Sequence, residues 1–415
     1  MKSSSNPKQP IWWTNGALFL SVHLATIAGI YYHPLRSTSW KTLCLTFALY
    51  HTAMLSITAG YHRLYSHKSF RAGHAVSAIV AFFGASACQG SIKWWALRHR
   101  LHHVSLPERV YDPVHDPYAA TRGLLWAHMG WIFYKTKYER MSLIDREDLE
   151  KDKVVAIQHK YYTPITVLAT FVMPVLIGSL WDDAAGAFVW AALLKCVLVW
   201  HATFLINSAA HWNGVQPYSD EDTSRTNLIL AVLTNGEGNH NFHTFPHDFR
   251  SGPTPFEWDP TKWLIMLLHT FGLATNLRRA RQEDLDEAKL HMKLKAAVGP
   301  ETLQKLYPDD ANEYPPWTLD KAQEYAASAS RCLIVIDGHI MDVTAYLKEH
   351  PGGAAIVRKY SLRKDQGKAN DEGHSDVDPE LWKQATWAFS GGLNTHSRAE
   401  KRRLQEYTIA KLGEA

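Results

Sequence analysis

Apolar residues fall in long runs through the first two thirds of the chain and in short alternating stretches near its end. Four runs approach the roughly 20 residues needed to cross a bilayer: Gly16–Tyr32, Leu43–Gly60, Ile165–Trp181 and Ala187–Ile206. His23, His51, Lys195 and His201 interrupt them, and such residues usually face the interior of a helical bundle. The competing reading is a large soluble helical domain. A fifth run, Ala75–Gly90, is rich in Gly, Ser and Ala and weakly apolar. If it crossed, His62 and His67 before it would lie opposite His99, His102 and His103 after it. It is therefore expected to lie flat at the interface.

Charge orients the spans. The stretch Tyr61–Lys160 is rich in Lys and Arg, whereas Trp181–Gly186 carries two Asp and no basic residue. By the positive-inside rule the histidine-rich segments and both termini are cytosolic. The first ten residues are polar, and no small-residue cleavage site follows the first run, so that run is expected to be a retained span. From about Asn276 the chain becomes charged and helical. "YPPW" (Tyr314–Trp317) then breaks helix, and "RCLIVIDGHIMDV" reads as two strands around a DG turn. The expected division is 1–275 for an all-α bundle of four transmembrane helices with a cytosolic helical cap, 276–312 for a charged helical linker, and 313–415 for a small α+β module.

Composition adds two points. Trp, Tyr and Phe make up 12% of 415 residues and gather at the ends of the apolar runs, as in the aromatic belts of membrane spans. There are 23 histidines, while the net charge is only +4, which argues against a nucleic-acid partner. The four cysteines are scattered and read as reduced thiols.

The histidines cluster in "HRLYSH" (His62, His67), "HRLHH" (His99, His102, His103) and "HNFH" (His240, His243). On a helix each residue advances about 100°, so His99, His102 and His103 share one wide sector and can serve adjacent metals. His62 and His67 stand roughly 140° apart on such a helix and are expected to flank a metal pair rather than chelate one ion. "NSAAH" places Asn207 and His211 one turn apart at the end of the fourth run. Eight imidazoles are too many for one four-coordinate zinc. Two metals follow, with iron favoured if the chemistry uses oxygen.

"GYHRLYSH", "HRLHH", "NSAAHWNG" and "GEGNHNFH" resemble the histidine boxes of the membrane-bound acyl-CoA desaturases, above all the fungal Δ9 branch, over roughly residues 15 to 275. The resemblance implies a diiron centre at the cytosolic face of a four-helix bundle in the endoplasmic reticulum. It implies removal of two hydrogens from a saturated acyl-CoA with O₂ and two electrons, supplied through NADH–cytochrome b5 reductase. Carried over by motif, the iron ligands are His62, His67, His99, His102, His103, His211, His240 and His243, with Asn207 acting through a water. Trp95 matches a family tryptophan near the kink of the acyl tunnel, and Tyr50 and Met54 are candidates for its end. Lys93, Arg98 and Lys160 are candidates to meet CoA phosphates; Leu97 stands where animal enzymes often carry an arginine.

Two departures stand out. The family's third box reads H-x-x-H-H, but here Thr244 follows His243, and Pro246 disfavours a regular helix that would bring in His247. Asp116 lies thirteen residues after His103, where the family reaches its Asp sooner. The ninth histidine is thus missing, which keeps open a desaturase-like protein that binds haem but turns over poorly. A related diiron hydroxylase, or a desaturase of other regiochemistry, is the third reading.

"EHPGG" (Glu349–Gly353) resembles the cytochrome b5 fold, with His350 as one axial ligand of haem b. Two imidazoles on haem iron leave no open position and favour electron transfer. For the second ligand, His396 sits among Trp387, Phe389 and Leu393. His374 lies in a polar stretch that reads as a solvated insertion. His396 is preferred and His374 is the alternative. A fused donor is present at high effective concentration.

Overall fold

The computed structural model describes residues 9–105, 116, 118–138, 141–142, 144–306, 314–328, 330–348, 350, 354–362, 380–390, 396 and 398–413. His374, Leu393 and most of the stretch between His103 and Asp116 lie outside the described residues, as do Pro351–Gly353. The chain divides into two compact units, one running to Gln282 and one from Glu283 onward.

Four helices of the first unit are long and apolar enough to cross a membrane: α1 (Trp13–Tyr32), α2 (Trp40–Ser66), α5 (Tyr162–Trp181) and α6 (Ala184–His211). Between α2 and α5 lie α3 (His74–Ala85) and α4 (Ile92–Ser105). In α1 and α5 only 22% of the apolar window is buried, against 50% in α2 and 61% in α6. So α2 and α6 form the inner pair, while Leu24 and Ile27 of α1 and Leu176 and Leu180 of α5 point outward, as lipid-facing residues do. At 12 residues, α3 is about 18 Å long, too short for a hydrocarbon core of about 30 Å. It does not separate the histidine clusters: His67 Nε2 lies 2.8 Å from His99 Nε2.

The four residues that interrupt the apolar runs each find a partner. His23 and His201 meet at 3.0 Å. Lys195 is fully buried and donates to the Ser86 carbonyl at 2.7 Å. His51 Nδ1 lies 3.2 Å from Asn235 Oδ1. At the acidic turn, Asp183 accepts from the Ser39 and Gly186 amides and the Thr42 hydroxyl, tying α2 to the start of α6. These bonds outweigh burial, the largest influence on the Asp183 carboxyl, and hold its pKa below the usual range.

The last eleven residues of α2, Ser56–Ser66, are wound as a π-helix. This stretch packs against α3 at a crossing of two glycines. A Cβ on Gly60 would stand 1.9 Å from Val80 Cγ1, and one on Gly84 would stand 2.4 Å from the Tyr61 ring. A two-stranded pairing of β1 (Arg71–Ala72) with β2 (Ala274–Thr275) closes the first unit.

The second unit carries a four-stranded sheet in the order β3 (Pro316–Trp317), β6 (Thr408–Leu412), β5 (His339–Asp342), β4 (Leu333–Ile336). The expected hairpin joins β4 to β5. Both turn residues, Asp337 and Gly338, have positive φ, 49° and 75°, as the favoured two-residue hairpin turn requires. The charged helix Gln282–Val298 belongs mainly to this unit, where Glu287 pairs with Arg398 and with Arg402 at 3.1 Å.

Candidate metal centre

The end of α2 delivers the first two imidazoles. The amide of His67 donates to the carbonyl of His62 at 3.0 Å, an i→i+5 bond, so the two stand one π-turn apart on one face. Their ring centroids are 4.7 Å apart. This corrects the expectation that they flank a pair of ions. That expectation assumed α-helical winding, and π winding returns a residue five positions later to the same side.

α4 delivers the next three. His99 and His103, one turn apart, face the first group: His103 Nε2 is 3.1 Å from His99 Nε2. His102 faces away from it. The third box folds as a 3₁₀ turn, His240–Thr244. In such a turn residues three apart eclipse, and the His240 and His243 rings stack at 5.4 Å and 21°. His243 Nε2 reaches His103 Nε2 at 2.9 Å and His62 Nε2 at 3.3 Å. His62, His67, His99 and His243 present nitrogens all within 4.8 Å of one another. His103 adjoins them, making a first group of five.

The second group is smaller. The ring of His240 lies 4.8 Å from that of His211, and His211 lies 6.4 Å from His102. Asn207 lines the same cavity as His102 and His240. The adjacent groups fit two ions held by neutral imidazole. Burial, reinforced by the charge each neighbour would carry, holds the pKa of His67, His99, His103, His240 and His243 well below the usual histidine range.

Each group has one imidazole backed by a carboxylate. His62 Nδ1 lies 3.3 Å from Glu237 Oε2, and His102 Nδ1 lies 2.8 Å from Asp116 Oδ1. Such a partner fixes the tautomer and turns Nε2 toward the metal. Burial alone would lower His102; Asp116 outweighs it and raises the pKa. His211 Nδ1 is held by Thr223 Oγ1 at 2.9 Å.

Arginines lock the boxes together. Arg63 donates to Glu237 at 2.8 Å, to Asp259 at 3.0 Å and to the Phe249 carbonyl at 2.7 Å. Burial opposes ionisation of Glu237, but Arg63 and His62 bring its carboxyl down to about 2. Arg100 donates to the Tyr65 carbonyl at 2.6 Å and to Asp148 at 2.7 Å, which places a cation at the negative end of α2. These arginines and carboxylates were not singled out from sequence as supports. The one available signal was the His-Arg-Leu triplet repeated in both boxes.

A cavity of about 670 Å³ runs from the imidazoles into the bundle. Trp95, His99, His102, His240 and Asn207 line it beside the metal groups, and Val22, Phe171 and Cys196 line it within the spans. Trp95 stacks on His99 at 5.0 Å. Tyr50 and Met54, expected at a tunnel end, are not among the residues lining this cavity. The Tyr50 hydroxyl instead donates to the Leu233 carbonyl at 2.9 Å, and Met54 is fully buried in packing. Of the basic candidates, Lys93 pairs with Glu150 at 2.8 Å, Arg98 lies 3.7 Å over the Trp94 ring and Lys160 lies 5.0 Å from the Tyr161 ring.

In the second unit the His350 and His396 rings are 6.4 Å apart, centroid to centroid. A bond of roughly 2 Å from each imidazole nitrogen to a shared ion asks for a separation of this size. His396 Nδ1 meets the Phe389 carbonyl at 2.9 Å, and its ring stacks on Phe389 at 3.9 Å. That leaves Nε2 for an iron.

Helices fit to cross a membrane, a buried polyhistidine centre on an apolar cavity, and a paired-histidine α+β unit define a membrane oxidoreductase with its own electron carrier. The comparisons agree. Residues 38–251 match the fatty acid desaturase family, and residues 318–365 match the cytochrome b5-like haem/steroid binding domain. Acyl-CoA desaturase 1 of Saccharomyces cerevisiae is 36% identical over 364 residues, covering 87% of this chain and 66% of that protein. The probable acyl-CoA desaturase of Schizosaccharomyces pombe is 34% identical over 400 residues, 96% of this chain and 77% of its own length. Human stearoyl-CoA desaturase 5 is 33% identical over 288 residues, 68% of this chain and 85% of that protein. The chain belongs to the fatty acid desaturase family and carries a C-terminal cytochrome b5 domain.

Proposed function

We propose that this chain is an acyl-CoA Δ9 desaturase of the endoplasmic reticulum membrane, with both termini cytosolic. A saturated acyl-CoA such as stearoyl- or palmitoyl-CoA, O₂, two electrons and two protons give a cis-alkenoyl-CoA and two waters. The observation that carries the reading is the pair of adjacent imidazole groups at the head of one apolar cavity. The ligands are His62, His67, His99, His103 and His243 for one iron and His102, His211 and His240 for the other, with Asn207 acting through a water. When bound, the two irons supply the oxidant for an unactivated methylene, which no side chain can provide.

The chain's own residues position the substrate. Trp95, stacked on His99, presents a flat wall where the acyl chain passes the metals. Gln89 and Thr203, bonded to each other at 2.9 Å, line the same cavity. Val22, Phe171 and Cys196 receive the methyl end and keep water from it. His350 and His396 would hold haem b, which would supply one-electron transfer, with NADH–cytochrome b5 reductase as the electron source. The proposed division is 1–275, 276–312 and 313–415, with the middle segment as the tether, although its helix Gln282–Val298 packs mainly with the second unit.

Expression in cells lacking Δ9 activity tests the reading. Monounsaturated fatty acids with the double bond at carbon 9 are expected. Their absence from cells that contain the haem-loaded chain would refute it. Products unsaturated elsewhere, or hydroxylated, would assign a related diiron chemistry. One observation favours a second reading, a desaturase of weak turnover: Thr244 stands where a ninth histidine would complete the third box.

A further inference from the structure

We infer that Cys88 and Cys196 form a modification site in the cavity wall, where a hydroperoxide entering the cavity joins the two thiols in a disulfide that restricts the space for an acyl chain. The restriction rests on the acyl-CoA reading above; the chemistry of the pair does not.

Hydrogen bonds set the turn between α3 and α4 in register with α6. Lys195 Nζ donates to the Ser86 carbonyl at 2.7 Å, Trp200 Nε1 to the Ala87 carbonyl at 2.9 Å and Gln89 Nε2 to Thr203 Oγ1 at 2.9 Å. Cys88 lies among these bonds, and it packs against the apolar cluster that contains Cys196. Its backbone is left-handed, with φ 55°, which is uncommon for residues other than glycine. The bonds on either side hold it there. The two thiols interact directly. Both cysteines are free, and both line the cavity.

Cys88 is the attacking thiol. Cys196 is buried, whereas Cys88 is half-buried, and the Thr170 hydroxyl lies 3.3 Å from its sulfur. The Cys196 thiol, helped by the Lys195 ammonium and Thr170, brings the Cys88 thiol down to about 7 against the effect of burial. A thiolate beside a cation is the reactive form of cysteine. The Cys88 sulfur attacks the outer oxygen of R–O–OH. The O–O bond breaks, the alcohol leaves with the proton that Cys88 gave up, and Cys88 becomes a sulfenic acid. The Cys196 sulfur then displaces the sulfenic hydroxyl, which leaves as water with the Cys196 proton. Two thiols and one hydroperoxide thus give one disulfide, one alcohol and one water. The bond holds the sulfurs at about 2 Å and ties the turn to α6. Both elements wall the cavity, and Cys196 stands where the methyl end is proposed to lie, so the cavity can no longer widen there.

The test treats the full-length, haem-loaded chain in detergent with cumene hydroperoxide, blocks the remaining thiols and maps peptides by mass spectrometry. The expected product is the Cys88 peptide joined to the Cys196 peptide with the loss of two hydrogens. Stearoyl-CoA binding, measured on the same samples, should weaken, and dithiothreitol should reverse both changes. Cys88→Asn keeps a residue suited to left-handed backbone. That variant should give no joined peptide, and its stearoyl-CoA binding should not change on the same treatment. Cys88 and Cys196 recovered as separate thiols or separate sulfinic acids would overturn the inference, as would a bridged chain that binds stearoyl-CoA as before. The mapping needs neither a variant nor turnover. A chain that forms the bridge but makes no Δ9 product in cells would refute the function proposed above and leave the thiol pair standing.

Discussion

At the scale of single residues, the centre depends on side chains that touch no metal. Asp116 meets only one proposed ligand, His102, and also accepts from the Tyr118 amide. Glu237 meets His62 and is shared with Arg63. The two carboxylates therefore separate positioning from stability. Asp116→Asn is expected to lower iron retention by about 10–100-fold with the fold kept, as read by non-haem iron content after dialysis and by thermal unfolding. Glu237→Gln is expected to do the same at the other group and also to destabilise by about 3–5 kcal/mol, because it removes part of the charge balancing buried Arg63. Iron retention at the wild-type level in both variants would remove the positioning role. The histidines were legible in sequence because three clusters beside apolar runs form a pattern. Asp116, Glu237 and the two arginines were not legible as supports, because their partners lie far away in the chain.

At the scale of elements, the number and placement of the membrane helices were readable from hydrophobic runs alone, and α3 was readable as a helix that does not cross. The winding at the end of α2 was not. A π-turn and an α-turn share composition and differ by one residue per bond, so His62 and His67 were assigned to different sides. The π stretch approaches α3 closely at Gly60 and Gly84, and this crossing is expected to hold it in place. Gly60→Ala sets a methyl group against Val80, and overpacking of this kind typically costs about 1–3 kcal/mol. The expected result is a lower unfolding temperature and reduced iron content. Val80→Ala in the same chain should recover most of both. If the double variant unfolds no later than Gly60→Ala, the crossing is not what holds the turn. A charged helix after Asn276 was also readable, whereas its ion pairing with Arg398 and Arg402 lay beyond any local pattern.

At the scale of the whole molecule, fusion makes electron delivery a property of one chain. A tethered partner acts at an effective concentration in the millimolar range for short flexible connections, so a haem unit on the same chain should outcompete a free carrier. The two units can be uncoupled by chemistry rather than by cutting. His396→Ala removes one side of the 6.4 Å pair and should abolish the spectrum of a haem with two imidazole ligands, while the non-haem iron stays at its wild-type level. His374→Ala should leave that spectrum unchanged, which decides between the two candidates for the second axial ligand. In cells without free cytochrome b5, the His396→Ala chain should make no unsaturated product. Adding soluble cytochrome b5 to its membranes should restore turnover in proportion to the amount added, while the wild-type chain shows no such dependence. A His396→Ala chain that works as well as wild type without an added carrier would mean that electrons reach the membrane unit by another route, and that the fused domain serves some other purpose.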